Sequence, residues 1–247
     1  MRCRIASSRF VSGSTMKLSH AIIALVASSA ILCFADNELT AQDKAGGWKL
    51  LFDGKDASAH FRGYNSKVLS EGWIVRDGAL VRTGGGDVIT REKYDSFELT
   101  LDWKIGKGGN SGVMFKVLET AGAPYETGPE CQILDNKDGT DPNKAGWMYA
   151  LYPAAVDTTK PAGEWNTLVI KCQKTVAGTY RCQHHLNGTL YVTYEIGSAD
   201  WIEKVSKTKF AGWKDFGKAA AGHICLQSHG DEVAFRNLKI RVLPELK

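Results

Sequence analysis

From Ser96 to Ile105 the chain reads SFELTLDWKI, with an apolar residue at every second position. Phe97, Leu99, Leu101, Trp103 and Ile105 share one face of an extended strand, and Glu98, Thr100, Asp102 and Lys104 share the other. A helix would scatter those five side chains around its circumference. A half-buried antiparallel strand collects them on one side, so the run demands a sheet packed on a core through one face.

Turn signals then partition the chain. WIVRDGALVR (73–82) places Asp77-Gly78 between two short apolar runs, and Asn187-Gly188 separates RCQHHL from TLYVTYEI. Both dipeptides tolerate positive φ at the two central positions of a tight hairpin. Further strands are predicted over 48–52, 111–118, 129–135, 165–173, 222–228 and 233–243, at intervals of about ten residues. Only 201–216 carries a partly helical pattern, read as one short helix and a loop. No linker-like stretch interrupts 47–244, so the chain reads as one all-β domain, a sandwich or barrel of antiparallel sheets, after a short segment 36–46. A domain of about 200 residues buries roughly 70% of its unfolded surface and needs no metal or staple to close its core.

The formal charge of +4 has a local origin. Residues 1–35 contain Arg2, Arg4, Arg9 and Lys17 and no acid, and the rest is neutral, which argues against a nucleic-acid partner. Lys17 precedes the apolar run LSHAIIALVASSAILCFA (18–35), whose small residues near Ala35 suit signal-peptidase cleavage. Residues 1–35 are therefore expected to be a signal peptide, with Met1 or Met16 as start. The mature protein is expected to be exported, periplasmic or extracellular, and free of the membrane once cleaved; a membrane anchor is the rival reading of the same run. Cys131, Cys172, Cys182 and Cys225 then remain. Cys172 and Cys182 flank a turn centred on residue 177, opposite one another, and are the disulfide candidates. Cys131 and Cys225 read as buried thiols.

No phosphate-binding loop, GxSxG elbow, HExxH or EF-hand spacing occurs, and His184-His185 point to opposite strand faces. No metal ligand set and no cofactor are predicted; a structural calcium is the one ion left open, and no motif places it. What remains is PECQILD (129–135). Alternation puts Glu130 and Gln132 on one face, and a single bulge would return Asp135 to it. Two carboxylates beside an amide can supply the acid and base that sugar chemistry needs, although any solvated strand face also carries polar residues. Asn110 in a glycine-rich turn, Gln227 and His229 near a strand end, and Trp147, Tyr149 and Tyr152 as a stacking wall are further candidates.

In order along the chain, WKLLFDGKD, the Asp-Gly hairpin, DSFELTLDWKI, GNSGVMFKV, ECQILD, GEWN, HLNG and GHICLQSHGDEVAFRNLKI together resemble the 3-keto-disaccharide hydrolase family from about Gly47 to Pro244. The resemblance implies a concanavalin-like jelly roll of two antiparallel sheets and a sugar or glycoside as ligand. It also implies cleavage of 3-keto-glycosides by proton abstraction at C2, elimination at C1 and hydration. Carried onto this chain, it implies Glu130, Asp135 and His229 as catalytic groups and Asn110, Gln132 and Gln227 as substrate-binding groups, with acid and base unassigned; Tyr152 is a substrate-binding candidate from the aromatic wall alone. The redox cofactor that makes the ketone would belong to a separate oxidoreductase. This chain departs from the family pattern in having Gly128-Pro129, not Tyr, before the first acid, and Trp147–Tyr152 in an altered segment. The alternatives are a lectin-like binding module on the same fold and a direct two-carboxylate glycosidase. Oligomeric state is open.

Overall fold

The computed structural model describes residues 36–247. The expected leader, its cleavage point and the start codon lie outside the described residues. Among the described residues no helix is long and apolar enough to cross a membrane.

The alternating run forms β6 (Phe97–Ile105), whose five apolar side chains are all buried. It sits centrally in an eight-stranded sheet with β1 (Lys49–Leu50), β3 (Trp73–Arg76), β4 (Ala79–Arg82), β9 (Asn166–Lys174), β10 (Tyr180–Leu186), β11 (Thr189–Ile196) and β13 (Val233–Val242). The strand order is β11-β10-β9-β6-β13-β4-β3, with β1 also on β13. A five-stranded sheet, β2-β5-β12-β7-β8, faces it; its members are β2 (Phe61–Gly63), β5 (Val88–Thr90), β7 (Asn110–Val117), β8 (Glu130–Leu134) and β12 (His223–Leu226). Ladders are antiparallel throughout both sheets. This is the expected two-sheet sandwich. Phe97, Trp103, Phe115 and Phe235 fill the space between the sheets.

Both hairpin dipeptides perform as predicted. Asp77 and Gly78 adopt φ of 52° and 71°, and Asn187 and Gly188 adopt 49° and 80°. Beyond the predicted strands, β2 and β5 are new; three residues each are too few to show a period. The single expected helix is α2 (Ala199–Ser206), capped by Ser198, and a 3-10 turn, Lys209–Gly212, follows it. A second helix, α1 (Ala41–Ala45), is held by a capping box between Thr40 and Asp43 and buries no side chain, so no apolar period announces it.

Cys172 and Cys182 are direct cross-strand partners on β9 and β10. Their Sγ atoms lie 3.0 Å apart as two buried thiols. Cys131 and Cys225 are buried as well.

Candidate functional site

β8 runs at the edge of the smaller sheet in unbroken register with β7, from Met114 opposite Glu130 to Asn110 opposite Leu134. Alternation sends Cys131 and Ile133 into the core and leaves Glu130 and Gln132 on the outer face. The free edge of β8 is covered by the segment 146–149. There Gly146 N donates to the Gln132 carbonyl (2.9 Å), Gln132 N to Trp147 O (3.1 Å) and Tyr149 N to Glu130 O (3.0 Å). That covering segment closes one side of a small cleft of about 140 Å³.

Gly112 on β7 makes room for the central acid. A Cβ there would lie 2.0 Å from Glu130 Oε1 and 2.7 Å from its carboxyl carbon. The Asn-Ser-Gly sequence is thus a seat: Asn110 at the cleft floor, Ser111 buried and donating to the Gln227 carbonyl (2.9 Å), and Gly112 beneath Glu130. The Gln132 amide lies 3.3 Å from Asn110 Oδ1. With the amide turned over, its Nε2 donates to Glu130 Oε1 (3.3 Å) and Ser111 O (3.1 Å).

Of the sequence-predicted residues, the cleft brings together Glu130, Gln132, Asn110, Tyr149, Gln227 and His229. Asp135, Trp147 and Tyr152 do not line it. Asp135 does not return to the Glu130 face, because the pairing of β8 contains no bulge. Its carboxylate instead accepts from Gly108 N (2.8 Å) and Lys137 N (3.2 Å), bracing the turn that precedes β7. Tyr152 is drawn into a stack with Tyr194 (5.0 Å between centroids) and Trp201, and its hydroxyl donates to Asp200 (2.6 Å). That stack continues through Trp201–Phe216 (5.9 Å) to Phe216–Phe210 (4.1 Å), so Tyr152 supports two residues that line the cleft without lining it itself.

The second cleft carboxylate is Asp141, which sequence reasoning missed along with Lys209. Asp141 Oδ1 accepts from Asn143 N (2.7 Å) and Asn143 Nδ2 (2.9 Å), and Oδ2 accepts from the Tyr149 hydroxyl (3.2 Å). Lys209 Nζ sits 4.9 Å from the Tyr149 ring centroid. No periodic pattern marks either residue. Asp141 lies in an irregular loop and Lys209 in a 3-10 turn, and only the chain path brings them to β8. The loop is anchored from below by His184, whose Nδ1 contacts Gly146 O (3.0 Å); burial pushes that imidazole down to about 4, so it is neutral and structural.

Glu130 carries the strongest electrostatic signal. Removal from water pushes its carboxyl up to about 8; the Lys209 ammonium offsets part of this, whereas Asp141 and Asp87 add to it. At neutral pH it is mostly a neutral acid. Burial, with Asp141 beside it, raises Tyr149 to about 12. His229 is exposed at the mouth. Its segment is fixed by Ser228 N donating to Asp87 Oδ1 (2.7 Å) and Arg82 Nε donating to Ser228 Oγ (2.8 Å). The cleft therefore offers a proton-bearing carboxyl, an exposed imidazole, an ammonium and several amides on one rigid floor. Among the described residues no three or more His, Cys, Asp or Glu side chains are grouped to hold a metal ion.

The model of the 3-keto-alpha-glucoside-1,2-lyase-like domain matches residues 47–241. The chain belongs to that family. Among relatives of this lyase-like domain, a 3-keto-disaccharide hydrolase from Bacteroides thetaiotaomicron is 31% identical over 236 residues, covering 81% of this chain and 79% of that protein. A crystal structure of a candidate glycosyl hydrolase from Parabacteroides distasonis ATCC 8503 superposes with a TM-score of 0.78 at 35% identity, over 85% of this chain and all of that one. A second from the same organism gives 0.61 at 29% identity, over 79% and 99%. The lyase-like domain thus spans nearly the whole described sandwich, with β8 and its cleft inside the matched range.

Proposed function

We propose that the protein is an exported enzyme that cleaves glycosides already oxidised at C3. The observation that carries this reading is Glu130: a buried, mostly protonated carboxyl seated over Gly112 in a cleft that also holds His229, Lys209 and Asp141. A ketone at C3 acidifies the hydrogen on C2. His229 takes that proton, and the electron pair moves into the C2–C3 bond as an enolate. The C1–O bond then breaks, and Glu130 gives its proton to the departing oxygen. The ammonium of Lys209 and the amide of Asn110 are the donors available to the enolate oxygen. Water adds at C1 with its proton going to Glu130, and C2 recovers a proton from His229. The net change is hydrolysis, and both groups end as they began. Asp141 accepts three hydrogen bonds on its oxygens and acts by holding Tyr149.

The test offers the mature protein a 3-keto-disaccharide and its unoxidised parent and measures released sugar. Release from the ketone alone is expected. Release from the parent at a similar rate would replace this reading with a two-carboxylate glycosidase, and binding without release would replace it with a binding module.

A further inference from the structure

Among the described residues Tyr125 is the one Phe, Tyr or Trp side chain that stands exposed, at 43%, and it lines the same cleft as Glu130. The other rings of the cleft are engaged. Phe210 and Phe216 are buried and stacked on one another (4.1 Å between centroids), and Trp201 covers Phe216 from beyond (5.9 Å). Tyr149 gives its hydroxyl to Asp141 (3.2 Å) and carries the Lys209 ammonium 4.9 Å from its ring centroid. Tyr125 is backed by Trp213 (5.5 Å between centroids, planes at 41°) and otherwise open. Its main chain is also held. The residue is the middle of the 3-10 turn Pro124–Glu126, where Gly128 N donates to Pro124 O (2.9 Å). Thr127, next in the chain, accepts from Leu118 N at Oγ1 (3.0 Å) and from Gly217 N at its carbonyl (2.9 Å), so the turn is tied to the end of β7 and to the loop that bears Phe216. An open ring on a fixed turn contacts a ligand with little ordering cost, since tyrosine has only two side-chain torsions to fix.

We propose that Tyr125 is the stacking platform for the leaving half of the substrate, which makes it a specificity-determining residue that favours glycosides whose C1 oxygen carries a second pyranose ring. The inference rests on the reaction proposed above, which sets the oxidised ring at Glu130. Glu130 is 8% exposed at the floor, and the exposed Tyr125 stands at the rim of a small cleft that the segment 146–149 closes on one side. A disaccharide whose first ring reaches Glu130 therefore has its second ring at the rim. The C–H face of a pyranose is flat and apolar, and laid on an aromatic face it removes both from water and gains dispersion contacts across the whole ring.

Two C-glycosides of 3-keto-glucose test this, one carrying a pyranose ring on its C1 carbon and one carrying only a methyl group. Their carbon link at C1 cannot leave, so calorimetry on the mature protein reads binding alone. The wild type is expected to bind the two-ring compound about tenfold more tightly. In Tyr125→Ala, and in Tyr125→Leu should the first not fold, the ratio is expected to fall to within about threefold, whereas Tyr125→Phe keeps the ring and is expected to keep the ratio. Equal affinities in the wild type, an undiminished ratio in a folded variant without the ring, loss of the ratio in Tyr125→Phe, or no binding of either compound would overturn the assignment. Sugar release from the 3-keto-disaccharide is scored separately. A Tyr125-dependent ratio without release removes the reaction and keeps the stacking site; release with a Tyr125-independent ratio does the reverse.

Discussion

Glu130 combines a function and a cost at one side chain. Its folded value of about 8 lies above that of an unfolded glutamate, so the folded state binds the extra proton between roughly pH 4.5 and 8. Stability is therefore fullest below that window and declines as pH rises through it. Glu130→Gln should remove this decline. Melting curves at pH 5 and pH 8.5 are expected to show a smaller difference between the two pH values for the variant than for the wild type. The same variant should lose roughly 100-fold or more in kcat/KM, because no proton remains for the leaving oxygen. In the wild type, kcat/KM for the 3-keto substrate should fall above about pH 8 as the acid ionises. Gly112→Ala tests the seat beneath it. A Cβ 2.0 Å from Oε1 must displace the carboxyl, so at least about a tenfold loss of kcat/KM is expected with about 1–3 kcal/mol of destabilisation in urea. Full activity in that variant would separate the position of Glu130 from the reaction.

At the level of elements, the site is a strand floor completed by two loops that the sheet does not own. Asn136 is the joint of the first: its Oδ1 accepts from Ala145 N (2.8 Å) and its Nδ2 donates to Asp157 (3.0 Å), which sets the path of the segment bearing Asp141 and Tyr149. Asn136→Ala should lower kcat/KM about tenfold and move the alkaline fall of its pH profile to lower pH, since it displaces the Asp141 charge that helps raise Glu130. Asp135 braces the other end. Asp135→Asn is expected to cost about 1 kcal/mol in chemical denaturation and to leave the pH profile intact, unlike a group that transfers protons. The predicted strands were legible because apolar alternation is a local property of the chain. β2, β5 and α1 were not, being too short or too exposed to carry a period.

Across the whole molecule, Lys116 ties the two sheets. It lies on β7 with no exposed surface, and its ammonium donates to Ala220 O (2.6 Å) and Asp95 O (3.2 Å) and sits 3.3 Å from the centroid of the Tyr180 ring on β10. Burial holds that ammonium below the ordinary lysine range. Lys116→Met keeps the stem but strands two carbonyls, and a loss of about 1–3 kcal/mol is expected by urea denaturation. An unchanged midpoint would mean that packing alone joins the sheets. The smaller sheet contributes its outer face to the cleft, while its inner face and the larger sheet form the core, so the sandwich can tolerate change in the cleft without losing its fold.

Alternation in β6, the Asp-Gly and Asn-Gly turns, and the apolar inner rows of β8 and β9 are set by neighbours along the chain, and for these the sequence by itself determined fold class, strand order along the chain and the shared face of Glu130 and Gln132. The partnership of Glu130 with Asp141 and Lys209, the withdrawal of Asp135 to a turn, and the capture of Tyr152 by an aromatic stack were decided only by tertiary structure. The physical reason is range. Side-chain alternation follows from backbone geometry at two-residue spacing, whereas which carboxyl is dried, which is hydrogen-bonded and which is turned away depends on loops that meet far from their places in the sequence.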